Sequence, residues 1–466
     1  MMLFRLAIRN ISRNRRRSIM TASLVAVGAL ALLMFGAFTT YIFAGLETGL
    51  VQRGGHLAVY RSGYFLFGPG NPAAYGIDDY QSVMRDINSD PVLHDMINVI
   101  TPTQAVVGIA GNFNGGASAS KTFFGIGLVG TDQEKMRQWN EHGASRPYVP
   151  DNRLSDPAAS RGLIGRGVAR MLGLCGALHV PNCPVPPPPV EAAGNAPALD
   201  PALADLAQSE QGTQSASGTA PQIDLLSATA NGAPNIVSLE VAGVDTQSVK
   251  ELDDNYVAMP LALAQQLVYG RGEHKVTGIV LQLHRTEDVP VARARLLALI
   301  AEWKLPLEVR DFRELNPFFV QVVALFSLIF LFLALIMVMI VLFAVVNTMT
   351  MNVLERTAEI GTVRAMGVRR ASIRRLFLAE GAVLGALGAS LGVVVAFIAI
   401  ALVNHSGLQW TPPGNTDPIP FQLAWPTRPV LLLGTWLGLV LVATLATLPP
   451  ANRAARSRIV DALRHV

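Results

Sequence analysis

Three stretches carry residue types that could do chemistry. Gly115-Gly116-Ala117-Ser118-Ala119-Ser120-Lys121-Thr122 has the outline of a phosphate-binding loop. There glycine amides wrap the phosphates and a Lys neutralises them. Ser120 stands where the second glycine is needed, so a turn before a strand is expected instead. Gly388-Ala389-Ser390-Leu391-Gly392 has the spacing of a hydrolase nucleophile elbow. An elbow needs a strand before it, whereas this segment lies within an apolar run. With Gly381 and Gly385 it reads as small residues at helical spacing, which let membrane helices approach closely. The 8 His residues show no metal-ligand spacing and no Cys/His cluster exists, so no metal site is expected. No catalytic constellation emerges, and the chain reads as a non-enzyme.

The third stretch is charged. Glu355, Glu359 and Val363 recur every four residues, as do Arg356, Ile360 and Arg364. Such spacing lays charged and apolar stripes along a short helix. Gly367 suits a helix stop, after which Arg369-Arg370 and Arg374-Arg375 resume a helical pattern. Two functions are open to this pattern: docking a partner protein, or binding lipid headgroups.

The elements that must position this stretch are apolar. The sequence is 51% hydrophobic and 15% charged, too few charges for an ordinary soluble protein. Four runs reach the roughly 20 residues that a spanning helix requires. We place spans at 18–46, 316–354, 376–403 and 428–451. The second, Asn316 to Leu354, is uncharged and could extend about 60 Å. The first follows Arg15-Arg16-Arg17 but is too long for a signal-peptide core and lacks a clear cleavage site, so it reads as a retained anchor. Residues 1–17 carry 6 Arg, 355–375 carry 6 and 453–464 carry 4, whereas 404–427 carry no Lys or Arg. The positive-inside rule then places both termini (an entry helix at 1–17, a tail at 452–466) and the 355–375 loop in the cytoplasm. The 404–427 loop and the long region 47–315 lie outside. Between the first two spans 20 Lys/Arg face 28 Asp/Glu, so the basic excess belongs to the membrane flanks, and nucleic acid is not an expected partner.

Region 47–315 reads as an α+β domain. Strands are expected at Gly55–Tyr60, Met96–Ala110, Thr122–Val129, Val276–His284 and Leu307–Asp311. Gly165–Leu174 reads as a short helix. Asp288–Trp303 reads as an amphipathic one, with Val291, Leu296, Leu297 and Ile300 on one side. A Pro/Ala/Gly-rich insert at 184–221 has too few bulky residues to offset its ordering entropy and is expected to be mobile. Cys175 and Cys183 precede it in an oxidising compartment, where either a local disulfide or two free thiols is compatible with the sequence. The fold class expected is an α-helical membrane protein with four transmembrane helices and a large α+β extracytoplasmic domain inserted between the first two.

The segment Glu355, Arg356, Glu359, Ile360, Gly361, Arg364, Ala365, Met366, Gly367 resembles the coupling loop of MacB/FtsX-type ABC permeases, close to E-R-x-x-E-I-G-x-x-R-A-x-G. Ala7–Arg17, Leu163–Leu174, Tyr256–Gln266 and Ile459–Arg464 are also similar to that family, but the Pro-rich insert is not. The resemblance implies two permeases, identical or homologous, paired with two copies of a separate ATPase subunit that binds ATP and Mg. Closure of the ATPases would move the coupling helices, and the long second span would pass that motion to the outer domain without substrate crossing the membrane. The segment from Gly55 to Phe65, right after the first span, resembles the lipoprotein-releasing branch more than the drug-efflux branch. That branch implies an inner-membrane permease with an apolar cleft lined by Phe35, Phe38, Ile42, Phe318, Val322 and Phe326, unless these side chains simply face lipid. Two other functions fit the family: efflux with a periplasmic adaptor, and activation of a cell-wall hydrolase without transport.

Overall fold

The computed structural model describes residues 9–10, 13, 15–68, 71–113, 119–143, 152–157, 160–181, 183, 220–247, 250–411, 418–425 and 429–456. Two compact units divide the chain: residues 1–44, 318–410 and 419–466 in one, residues 45–317 and 411–418 in the other. Helix α1 (Arg15–Gly54) starts in the first unit and ends in the second.

The second unit is α+β. In chain order it contains β1 (Leu57–Arg61), α2 (Tyr80–Ser89), β2 (Ile97–Asn112), β3 (Ala119–Leu128), α3 (Gly130–Arg137), β4 (Arg161–Ile164) and α4 (Arg166–Met171). It continues with β5 (Gln222–Ala228), β6 (Pro234–Val244), β7 (Tyr256–Pro260), α5 (Leu261–Tyr269), β8 (Gly278–Leu283), α6 (Val289–Trp303) and β9 (Leu307–Asp311). The strand order β3-β7-β4-β6-β5-β2, with a further β2–β3 pairing, closes six strands into a ring. Val106, Phe123, Leu225, Leu239, Val257 and Met259 belong to the apolar core of this ring.

Residues 97–103 of the long β2 leave the ring and pair with β8. There β8, β1 and β9 run antiparallel in that order, so α6 carries the chain from β8 over β1 to β9. Every residue of β8 is buried, as a strand with neighbours on both sides and a helix layer above requires. The Gln282 amide is satisfied there by the carbonyls of Val51 and Met136. Helices α2 and α6 complete a second core around Val59, Ile87, Leu281, Leu296 and Val309.

The stripe that α6 buries is Val289, Ala292, Leu296, Leu299 and Ile300. Val291 and Leu297 are exposed, which corrects their expected place on the packed face. Each sits about 100° around the helix from a buried neighbour. The insert at 184–219 lies outside the described residues. Cys175 and Cys183 are joined by a disulfide, Cα–Cα 6.0 Å, at the edge of the ring's core.

The helical unit holds α7 (Pro317–Glu355), α8 (Thr357–Ala365), α9 (Arg370–His405), α10 (Pro429–Ala446) and α11 (Leu448–Arg456). A short pairing of β10 (Gln409–Trp410) with β11 (Ile419–Pro420) follows α9. Among the described residues, four helices are long and apolar enough to cross a membrane: α1, α7, α9, and α10 with α11. Helix α9 begins at Arg370, so the charged residues before the expected third span are already helical. The fourth breaks at Thr447, before Leu448-Pro449-Pro450, because proline lacks the N–H that would continue the ladder. The helix then resumes to Arg456, into the segment expected as tail. Ile459–Arg464 lies outside the described residues.

Glycines set the closest helix contacts. A Cβ on Gly388 would fall 2.7 Å from the Ala22 carbonyl oxygen, and one on Gly392 would fall 2.5 Å from that of Ala26. Gly381 and Gly385 instead face Thr447 and Ala443. The elbow-like segment is therefore a packing surface within a helix.

Candidate functional site

Helix α8 follows α7 after a single non-helical residue, Arg356 (φ −112°, ψ 18°). Its far end is closed by Gly367 at φ +93°, a conformation costly for residues with a Cβ. The Gly367 N–H bonds the Arg364 carbonyl at 3.0 Å and the Val368 N–H bonds that of Val363 at 3.4 Å. This is a Schellman closure, and it reverses the chain into α9.

Nine residues are too few for a stable isolated helix, so neighbours must hold α8. Ile360 packs with Val353 against Ile373, Phe377, Ala451 and Ala454, and Gly361 is buried. The charged residues make specific bonds. Arg356 Nε donates to Glu359 Oε2 at 3.1 Å, its Nη2 to Asn10 Oδ1 at 2.8 Å, and its Nη1 lies 3.5 Å from Glu380 Oε1. Asn10 Nδ2 donates to the same Glu380 oxygen at 2.5 Å. Arg13 Nη2 donates to Glu359 Oε1 at 2.6 Å, and Arg17 Nη1 to Glu355 Oε1 at 2.5 Å. Arg13 and Arg356 hold the Glu359 carboxyl below its ordinary range. Several of these groups line a polar cavity of about 180 Å³.

The motif residues thus divide by direction. Glu355, Arg356 and Glu359 turn to other parts of the chain, Ile360 and Gly361 turn into the bundle, and Arg364 is half-buried. Ala365, Met366 and Gly367 are exposed with Thr362 and Val363, Met366 to 72%. Sequence reasoning missed Asn10, Arg13, Arg17 and Glu380 as partners. One available signal was a carboxylate, Glu380, at the mouth of an apolar run, since such residues are rare without a paired role.

The six cleft candidates also divide. Phe38 lies edge-on to Phe326 at 6.0 Å and stacks on Phe421 at 5.6 Å, while Phe35 stacks on Phe330 at 6.1 Å. Ile42 and Val322 are half-buried, whereas Phe318 is 65% exposed. Phe330, Phe421 and Trp410 join this aromatic group, although the sequence reading had not named them.

In the phosphate-loop-like segment, 114–118 lies outside the described residues. Lys121 and Thr122 lie on β3, paired with Ala110 and Ile109. A phosphate-binding Lys and Thr would instead open a helix.

Comparison with known proteins places the loop within a larger match. Residues 318–459 match the family model described as FtsX-like permease C-terminal. The ABC transporter permease YtrF of Bacillus subtilis is 33% identical over 153 residues, which is 32% of this chain and 34% of that protein. The lipoprotein-releasing system transmembrane protein LolE of Haemophilus influenzae is 24% identical over 216 residues, 44% of this chain and 50% of that one. The macrolide export ATP-binding/permease protein MacB of Escherichia coli is 30% identical over 135 residues, 28% of this chain and 21% of that one. The chain therefore spans between about a fifth and a half of the length of these relatives.

Proposed function

We propose that this chain, whose residues 318–459 match the FtsX-like permease family model, is the membrane subunit of an ABC transporter that turns ATP hydrolysis by a separate ATPase into motion of its α+β unit. Two ATPase copies, which bind ATP and Mg, would work on this chain and a second permease, identical or homologous. The chain would lie in the inner membrane, with both termini and α8 cytoplasmic and the α+β unit periplasmic. The observation that carries this reading is the two-sidedness of α8. Its charged side is tied to its own chain, while Thr362, Val363, Ala365 and Met366 form an exposed, mostly apolar strip. A strip of this kind fits a groove on a partner protein better than lipid phosphates, which would take the arginines.

The test is disulfide trapping in proteoliposomes that contain the ATPase. Met366→Cys should cross-link to a cysteine placed in the ATPase groove, and the yield should change when ATP is added. No cross-link at any groove position would sink the coupling assignment.

For cargo, the relative named as a lipoprotein-releasing protein and the aromatic group around Phe38 support extraction of a lipoprotein or similar amphiphile. Phe38→Asp and Phe326→Asp place a charge where rings now touch, and each should abolish release of lipoprotein from the vesicles. Normal release by both variants excludes this cargo route. The relative named for macrolide export supports a second reading, efflux with a periplasmic adaptor. Macrolide, rather than lipoprotein, should then stimulate ATP turnover.

A further inference from the structure

We infer that Asn10, Arg13 and Glu380 are positioning residues for energy coupling: they clamp helix α8 through Arg356 and Glu359, so a push on α8 is delivered to α1 and α9 as well as to α7. The inference rests on the reading of α8 as a coupling helix and adds how that helix is held and what it drives.

Ile360 is the apolar anchor of α8, and one anchored side chain fixes a point without fixing rotation about it. Rotation is set by the polar contacts. Arg356, Asn10 and Glu380 close a triangle in which each member touches the other two. Glu380 is only 2% exposed. A carboxylate so far from water is tolerated when it is paired, and removal of either partner leaves a buried polar group unmet. The triangle therefore has one preferred geometry, and Arg356 conveys it to Glu359.

Arg13 and Arg17 extend the same contact outward. Asn10, Arg13 and Arg17 follow the i, i+3, i+7 spacing of one helical face, and Glu355 and Glu359 follow i, i+4. Arg13 meets Glu359 and Arg17 meets Glu355, so the two rows run in opposite directions. Exposed pairs of this kind contribute little stability alone. Attached to the buried triangle they fix register, which is what a transmitting joint needs.

The consequence is mechanical. Force on Thr362, Val363, Ala365 and Met366 passes along Ile360 and Arg356–Glu380 into α9, and through Arg13–Glu359 to the residues just before α1, while Arg17–Glu355 ties the end of α7 to α1. Helix α7, linked to α8 through Arg356 and bonded to it by the Thr357 hydroxyl, is one of three helices displaced.

The experiment uses the full permease with its ATPase in proteoliposomes. The readouts are basal ATP turnover, turnover stimulated by a lipoprotein in the vesicle membrane, and the Met366→Cys cross-link. Arg13→Glu and Glu359→Arg should each keep the cross-link but reduce the stimulated-to-basal ratio by about fivefold. The double variant R13E/E359R, which restores that pair in reverse but not the Arg356–Glu359 bond, should recover part of that ratio. Glu380→Gln should lower it as the single charge reversals do. If Glu380→Gln does not insert stably, the exposed Arg13–Glu359 exchange still decides the matter. Wild-type coupling in the single variants, or a double variant no better than either single, overturns the clamp and leaves the coupling helix standing. Loss of the cross-link in the otherwise unaltered protein overturns both.

Discussion

Alanine at Gly388 or Gly392 should loosen the packing of α9 on α1. A Cβ at Gly392 would sit 2.5 Å from both the Ala26 oxygen and the Ala29 Cβ, and at Gly388 it would sit 2.7 Å from the Ala22 oxygen and the Val25 Cβ. Ordinary contacts lie at 3.4–4 Å, so the two helices must separate by about 1 Å, and two of the four obstacles are backbone oxygens that cannot rotate away. Overpacking of this size costs about 1–3 kcal/mol per site. Alanine returns up to about 1 kcal/mol of helix propensity, leaving a net loss of up to about 2 kcal/mol. The sites are one turn apart and share the same relaxation, so the double variant should lose less than the sum. Gly434 and Gly438 have the same spacing on α10, yet nothing lies within 4 Å of a Cβ at either. Alanine there should be neutral or stabilising. The assay is denaturant unfolding of the monomeric chain in detergent micelles. Equal losses at Gly434 and Gly388 would refute the packing argument, because sequence spacing alone would then predict the outcome.

Two further predictions concern the α+β unit. His56 is buried against Trp139 and Phe312, and its Nδ1 accepts the Leu283 N–H. Desolvation, helped by the nearby His142, lowers its pKa from 6.5 to about 4. The unfolded chain therefore binds a proton that the folded chain refuses, and stability falls as pH drops from about 6.5 to about 4, by up to about 3 kcal/mol. Trp139 emission, isolated by difference against Trp139→Phe, should quench with a midpoint near pH 4, and a midpoint near 6.5 would contradict the burial. Separately, Cys175→Ser with Cys183→Ser opens a loop of sequence separation 8 and should cost about 2.5 kcal/mol in the oxidised protein. Unfolding with and without reductant measures it, and a difference near zero would show that the bridge does not constrain the unfolded chain.

What could be read in the sequence depended on how local its physical cause was. The spans follow from runs without charge, and β9 from a five-residue alternation next to an amphipathic helix. Strands β4 and β7 escaped notice because their pairing is remote, whereas β5 and β6, also unread, pair with each other as a local hairpin. Arg161–Ile164 is four residues long, contains a glycine, and is a strand because Glu240–Val244 and Val257–Ala258 lie on either side of it. The same division holds at the site. The periodicity of Glu355, Arg356 and Glu359 marked α8, but their partners stand far off: Asn10 and Arg356 are separated by 346 positions. Charge alone could not separate lipid phosphates from a partner protein, because the sequence does not show that Glu355, Arg356 and Glu359 are paired within the chain.

Strand β2 belongs to both cores, with residues 104–112 in the ring and 97–103 beside β8. No flexible linker separates the two along this route. A load applied along β2 meets its ladder hydrogen bonds together, in shear, instead of breaking them one after another as in unzipping. The α+β unit is thereby built to pass a small displacement from one core to the other with little slack, and a glycine placed near the crossover at Thr103 and Gln104 would act as its fuse.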